Sequence, residues 1–292
     1  MLVMRFTTLA SGSRGNCSII DDGLSSFLID GGISPRTLET HLKISGFTPQ
    51  RLRGLILTHT HGDHWNQRLL AYCAEKKIPW YLHKTHARTI YDQYPEFKAF
   101  YESGLVHFYL PNTRFETAAG WYWHPVNISH DSSETFGFRL DIKNEQGPCV
   151  SIGYLADLGI WDKALADQFT GLDLLALEFN HDEKLQKNSK RPEFLIQRIM
   201  GDEGHLSNDQ AVSFLDYLKS LGVHKLPKHL VQVHLSEQCN SPEHAQASLK
   251  LFLKDSAINM KLQTAQAKKT SSPINLLERN LFAFAEHLNE NY

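Results

Sequence analysis

The apolar run Leu55-Ile56-Leu57 leads straight into Thr58-His59-Thr60-His61-Gly62-Asp63-His64, which sets three imidazoles and a carboxylate within six positions. The run reads as a buried strand, so the ligand-type side chains sit where a strand stops and the chain turns. An extended chain end projects His59 and His61 to the same side, and Asp63 and His64 follow as the chain turns towards a helix. One short loop can thereby feed two adjacent metals. His and Asp suit zinc, manganese or iron. The competing reading is a surface loop that happens to be rich in histidine.

The rest of the chain places this loop in a larger pattern. Residues 3–9, 17–21 and 26–30 read as strands, the last two joined by the turn Asp22-Gly23. A helix over 35–45, a strand over 54–58, the histidine loop and a helix over 67–76 follow. A strand over 78–82 and helices over 85–93 and 95–103 carry the chain to a strand at 106–109. Segments 120–129, 135–142 and 149–156 form a second meander. Strand 172–178, helices 192–200 and 208–221, strand 229–234 and helix 242–254 complete the domain. Each half begins with strands and ends with strand-helix units. The expected class is α/β, a four-layer αββα sandwich of two packed sheets with helices outside.

With 292 residues and 41% hydrophobic content, one large domain over 1–264 is expected. Residues 265–273, with Lys268-Lys269-Thr270-Ser271-Ser272-Pro273, read as a linker. The C-terminal stretch 274–292 reads as an amphipathic helix, with Leu276, Leu277, Leu281, Phe282, Phe284 and Leu288 as its apolar stripe. That helix either packs on its own domain or makes a homodimer. A formal charge of −2 excludes a globally basic nucleic-acid binder and leaves room for a local basic groove. Four cysteines without CxxC spacing fit a reducing compartment, so a cytoplasmic protein is expected. No run approaches a membrane span, and the apolar start is too short for a signal sequence, so no membrane association is expected.

A dinuclear site needs more donors than the loop supplies, and the chain offers them where other strands end. His130 closes the segment Pro125-Val126-Asn127-Ile128-Ser129, Asp157 closes Ile152-Gly153-Tyr154-Leu155-Ala156, and His234 closes Leu230-Val231-Gln232-Val233. The ordered set, HxHxDH at 59–64 followed by His130, Asp157 and His234, resembles that of the metallo-β-lactamase fold superfamily. By that resemblance His59, His61 and His130 would hold one divalent metal, Asp63, His64 and His234 a second, and Asp157 would bridge them. Asp63 then counts as catalytic as well as ligating, beside a metal-bridging hydroxide. Nothing resembles Ser-x-x-Lys with its companion motifs, so the name denotes a fold and not a lactam-cleaving activity.

Three further segments resemble one branch of that superfamily. Ser11-Gly12-Ser13-Arg14-Gly15-Asn16-Cys17, Glu178-Phe179-Asn180-His181-Asp182 and Gly204-His205-Leu206-Ser207-Asn208 are similar to signature segments of the WalJ/YycJ branch, regarded as 5′ to 3′ DNA exonucleases. Thr60 and Gly62 depart from the Glu and Ser associated with its metal loop. The branch is related to ribonuclease Z and to cyclic phosphodiesterases, and the relation implies that His205 assists proton transfer to the leaving group. Phosphodiester hydrolysis with DNA ends as substrate is therefore expected. A small cyclic or nucleotide phosphodiester is the alternative; RNA, a thioester or lactone, and a noncatalytic DNA-end module stand behind it. His181, Ser207, Asn208, Arg14 and Ser13 are candidate substrate contacts. Ser207 reads equally as a helix N-cap, and Ser13 and Arg14 as part of a structural turn. Lys184, Lys187, Lys190, Arg191 and Arg198 either track a nucleic-acid backbone or form a solvated face.

Overall fold

Strands whose successive residues are apolar on both faces need cover on both sides, and this chain satisfies that need by stacking. The computed structural model describes residues 3–144 and 147–277, with side chains throughout except at 144 and 147–149. The first half contributes β1 (Arg5–Ala10), β2 (Cys17–Asp21), β3 (Ser26–Ile29), α1 (Pro35–Ile44), β4 (Leu52–Ile56), α2 (Gln67–Lys76), β5 (Trp80–Leu82), α3 (Lys84–Gln93), α4 (Phe97–Glu102) and β6 (Val106–Phe108). The second half contributes β7 (Phe115–Ala118), β8 (Trp121–Asn127), β9 (Phe136–Asn144), β10 (Gly147–Leu155), α5 (Lys163–Asp167), β11 (Leu174–Glu178), α6 (Glu183–Lys187) and α7 (Glu193–Met200). It continues with α8 (Asn208–Ser220), β12 (His229–Val233), α9 (Pro242–Ser248), β13 (Lys261–Thr264) and β14 (Ile274–Asn275).

Two seven-stranded sheets result, in the orders β14-β1-β2-β3-β4-β5-β6 and β13-β12-β11-β10-β9-β8-β7. In each, an antiparallel meander runs into parallel strands: β3, β4, β5 and β6 in one, β10, β11, β12 and β13 in the other. Period-two alternation sorts the side chains. Phe27 and Ile29 of β3 enter the core between the sheets, where they meet Trp121, Trp123, Phe138 and Tyr154, while Leu28 faces α1 and α2 with Leu38, Leu42 and Leu69. In β11, Leu174 and Ala176 face inward and Leu175 and Leu177 face the outer cluster that includes Phe214 and Leu218 of α8. The layer order is helix, sheet, sheet, helix, the architecture read from the sequence.

Three local differences have physical reasons. The helix expected over 242–254 stops at Ser248, and a 3-10 turn at Phe252–Lys254 follows. Leu249 and Phe252 then enter one cluster at a three-residue step, which a tighter turn accommodates. The edge strands β7 and β13 were not read from the sequence; their polar, half-buried residues give little alternation. The stretch 265–273 crosses from the edge of one sheet to the edge of the other. Thr8 donates its backbone N–H to Ser271 Oγ at 3.0 Å and accepts from the Ser271 N–H at 2.9 Å. Where a helix was expected to open, Ile274–Asn275 pair antiparallel with β1. The expected helix from residue 278 onward lies outside the described residues. Among those described, Cys17, Cys73 and Cys239 are buried free thiols, and no helix is long and apolar enough to cross a membrane.

Candidate metal centre

The loop after β4 is folded back by its backbone. The Asp63 carbonyl accepts from the Asn16 N–H at 2.7 Å, and the His64 carbonyl accepts from the Gly31 N–H at 2.8 Å. Gly32 must be glycine here, because a Cβ would lie 1.7 Å from the Asp63 carbonyl oxygen. The loops after β1, β3 and β4 are thus locked together at the C-terminal ends of the parallel strands. The loops after β8, β10, β11 and β12 meet them from the other sheet.

Hydrogen bonds on the far side of each imidazole determine which ring nitrogen faces inward. Asp30, fully buried at the end of β3, accepts from Thr58 Oγ1 at 2.9 Å and lies 2.8 Å from His64 Nδ1. With its proton given to Asp30, the Thr58 oxygen can accept from His59 Nδ1, 3.0 Å away. One carboxylate therefore sets two tautomers, and both rings turn Nε2 inward. His130 Nδ1 lies 2.9 Å from the Gly204 carbonyl, and His234 Nδ1 lies 2.8 Å from Glu178 Oε1. His61 is reversed, with Nδ1 3.2 Å from His130 Nε2 and Nε2 3.6 Å from Asp131 Oδ1.

The inward atoms crowd one another. Asp157 Oδ2 is 2.8 Å from His64 Nε2, and its Oδ1 is 3.2 Å from His234 Nδ1 and 3.7 Å from His130 Nε2. Asp63 Oδ2 is 3.4 Å from His234 Nε2 and 3.6 Å from His64 Nε2. Ligand atoms within 4.8 Å of one another define four groups, His59/His61/His130, Asp63/His64/His234, His59/His64/Asp157 and Asp157/Glu178/His205/His234. The first three contain all seven ligands expected from the sequence, and the fold brings them together. His59 Nε2 is buried with no hydrogen-bond partner, the state of a lone pair that awaits a Lewis acid. The donor set fits divalent cations, with histidine and carboxylate oxygen and no thiolate.

Electrostatics agree. Burial works against ionisation of Asp63, yet His64 and His234 hold its carboxyl down at about 2. Burial likewise opposes protonation of His64 and His234, and the surrounding carboxylates, Asp157 foremost, override it and raise both. A field that keeps protons on buried imidazoles is one that would hold a cation in their place. For His59, burial and then the neighbouring His64 outweigh Asp157, and its pKa falls well below the ordinary value.

His205 differs from the ligands in position. Its Nδ1 lies 2.9 Å from Glu178 Oε1 and 3.3 Å from Asp157 Oδ1, and the side chain is 20% exposed on the wall of a cavity. Burial disfavours the charged ring, but Glu178 outweighs it and raises the pKa. Glu178 is itself pinned, since its Oε2 accepts the backbone N–H groups of Leu158 and Leu206 at 2.9 and 3.1 Å. This one buried carboxylate thus orients His234 and His205 together.

Of the other candidates, Ser13 lines the same cavity as His205. Arg14 points outward and pairs with Glu237 at 3.0 Å. Ser207 caps α8 in a capping box, and the Asn208 amide bonds Asn240 Oδ1 at 3.2 Å, so both are engaged within the protein. His181 is buried beside Ser207, with its pKa pushed to about 4 by burial. Of the basic run, Arg191 and Arg198 reach the cavity wall; Lys187 pairs with Glu183 on the surface. Trp121 and Trp123 are core residues.

Sequence reasoning missed Asp30, Glu178 and Asp131. Asp30 and Glu178 carried the same signal as the ligands, a polar residue closing an apolar strand. Asp30, Asp157 and His234 share φ values of 61°, 55° and 58°, left-handed turns that aim the side chains back at the strand ends. Such backbone is unfavourable for residues with a Cβ and recurs where geometry serves function.

The chain belongs to the beta-lactamase superfamily, whose domain model matches residues 26–235. It is a metallo-β-lactamase fold hydrolase, and its His and Asp clusters are those of a divalent-metal site. It is similar to the exodeoxyribonuclease YycJ of Bacillus anthracis, 24% identical over 258 residues that cover 86% of this chain and 90% of that one. Among solved structures it resembles a diphosphatase of the PhnP family, with TM-score 0.61, 18% identity, and coverage of 95% and 100%. It also resembles the short form of human tRNase Z, with TM-score 0.59, 17% identity, and coverage of 92% and 99%.

Proposed function

We propose that the chain is a dinuclear metal-dependent phosphodiesterase that degrades DNA from an end, in the 5′ to 3′ direction. The observation that carries this reading is His205. Glu178 holds its Nδ1, which leaves Nε2 to give a proton to a departing oxygen, and the ring faces a cavity that also presents Arg191 and Arg198. Two divalent ions, zinc or manganese with iron as a third choice, would supply an activated water and neutralise the nonbridging oxygens. His59, His61 and His130 would hold one, Asp63, His64 and His234 the other, with Asp157 between them. The arginines give an anionic substrate a place that a thioester or lactone would not use. Similarity to a bacterial exodeoxyribonuclease over most of both chains supports DNA.

A second reading, a small cyclic or nucleotide phosphodiester, is favoured by the cavity, whose volume of about 420 Å³ is that of a small-ligand pocket. The deciding experiment incubates metal-loaded protein with 5′-labelled duplex DNA, single-stranded DNA, RNA and bis(p-nitrophenyl) phosphate. Progressive shortening of DNA is expected. Turnover of the small ester with every polymer left intact would sink the nuclease reading in favour of the second.

A further inference from the structure

The two arginines on the cavity wall are used differently. Arg198 forms an ion pair with Asp131, so a carboxylate already neutralises it. Arg191 donates from Nε to Gln238 Oε1 at 2.9 Å, from Nη1 to Gln186 Oε1 at 3.1 Å and from Nη2 to Ser236 Oγ at 3.4 Å. All three acceptors are neutral. The guanidinium plane is held while its charge stays uncompensated by any of them. Gln186 is fully buried, so the clamp is anchored inside the protein. Ser13 and Ser236 bring hydroxyls to the same cavity. A planar, pre-oriented guanidinium beside hydroxyl donors matches the oxygens of a phosphate.

We infer that Arg191 forms a subsite for a terminal phosphomonoester, the group that ends a nucleic-acid strand beside the phosphodiester being cut. The inference rests on the phosphodiesterase reading above and adds what the enzyme recognises. An internal phosphodiester carries one negative charge, and a terminal monoester carries about 1.5 to 2 at pH 7, so an uncompensated arginine prefers the end. The segment from Arg191 into α7, the loop after β12 and the loop after β1 line the same cavity, so Arg191, Ser236 and Ser13 converge on one place. Because His205 lines this cavity too, a phosphate on Arg191 and an ester at the metal centre belong to one substrate.

The test uses one oligonucleotide sequence bearing a 5′-phosphate, a 3′-phosphate or hydroxyls at both ends, with the manganese-loaded full chain. One phosphorylated form should be degraded about tenfold or more faster than the hydroxyl form, the usual worth of a charged hydrogen-bonded pair. Arg191→Ala should erase that preference, and Arg191→Lys, which keeps charge without the fork, should fall between. Equal rates in the wild type, or a preference that survives in an Arg191→Ala protein of unchanged melting temperature, would overturn the subsite. Calorimetric titration of inorganic phosphate into metal-free protein separates this inference from the nuclease reading. If no oligonucleotide is degraded, the nuclease reading fails. Binding about tenfold weaker in Arg191→Ala still supports the phosphate subsite, and equal binding in both proteins removes it.

Discussion

Two histidine clusters lie among the described residues, and one of them groups side chains that could hold metal. His83 and His86 lie with ring centroids 5.8 Å apart, against Tyr109 and Phe136. His86 Nε2 is 2.9 Å from the Glu134 carbonyl, its Nδ1 accepts the His83 N–H at 3.2 Å, and His83 caps α3. Their partners are carbonyls, amides and a hydroxyl. Burial therefore acts almost unopposed and pushes His86 down to about 4. At the strand ends, Asp30, Asp63, Asp157 and Glu178 reverse that outcome for His64, His205 and His234. Six imidazoles gather at the strand ends and two at α3, and a neighbouring imidazole by itself lowers a ring's pKa, as His83 does for His86. The buried carboxylates make the difference.

The contrast can be broken in several ways, beginning with metal removal. Chelation should abolish turnover and, if the ions had been present at about a thousand times their dissociation constant, cost about 4 kcal/mol of stability. Thermal melting before and after chelation reads this, and a His83→Ala variant should show the same chelator-induced drop as the wild type. An equal melting curve with and without chelator would mean that the strand-end cluster holds no structural cation. Next, His205→Ala should retain metal by elemental analysis while losing about 10²-fold or more in turnover. Full activity in that variant removes the proton-donor role. Glu178→Gln keeps the shape but not the charge, and should weaken metal affinity by about 10- to 100-fold, as should Asp30→Asn. A competition titration against a metal dye measures it, and unchanged affinity in both would refute the orienting role.

A pH effect belongs to the other cluster. His86 titrates near 4 in the fold and near 6.5 when unfolded, so the unfolded chain takes up the proton first as pH falls. Its contribution is present above 6.5 and drains away towards 4, to a total of about 3 kcal/mol. His86→Gln should flatten the dependence of urea midpoints over that window relative to the wild type. Parallel curves would show that His86 is no acid-sensitive element.

The sequence disclosed the candidate ligands because each stands at or just after the close of an apolar strand, where a change of polarity is abrupt. Asp30 and Glu178 follow Ile29 and Leu177 in the same manner. They escaped because a carboxylate that binds only other side chains reveals its purpose through contacts across the fold. Glu178 reaches His205 and His234, and Asp30 reaches His64, none near it in sequence. The edges were hard for a related reason. The half-buried residues of β7 and β13 do not alternate strongly, and their strand state comes from a neighbour. Ser207 takes the N-cap role that the sequence offered beside substrate contact, and the Asn208 amide bonds Asn240.

The pairing of β14 with β1 also bears on how the protein is made. Ser271 bonds Thr8 across 263 positions, and Ile274 sits opposite Phe6. A ribosome releases β1 first and its edge partner last, so during synthesis that border of the sheet stays open to any strand that meets it. Closure depends on contacts among the most distant in sequence of the described residues, the slowest kind to form. A premature stop before residue 271 would leave all seven candidate ligands in place on a sheet with an uncovered margin, and such a product should be lost to aggregation sooner than to any defect in chemistry.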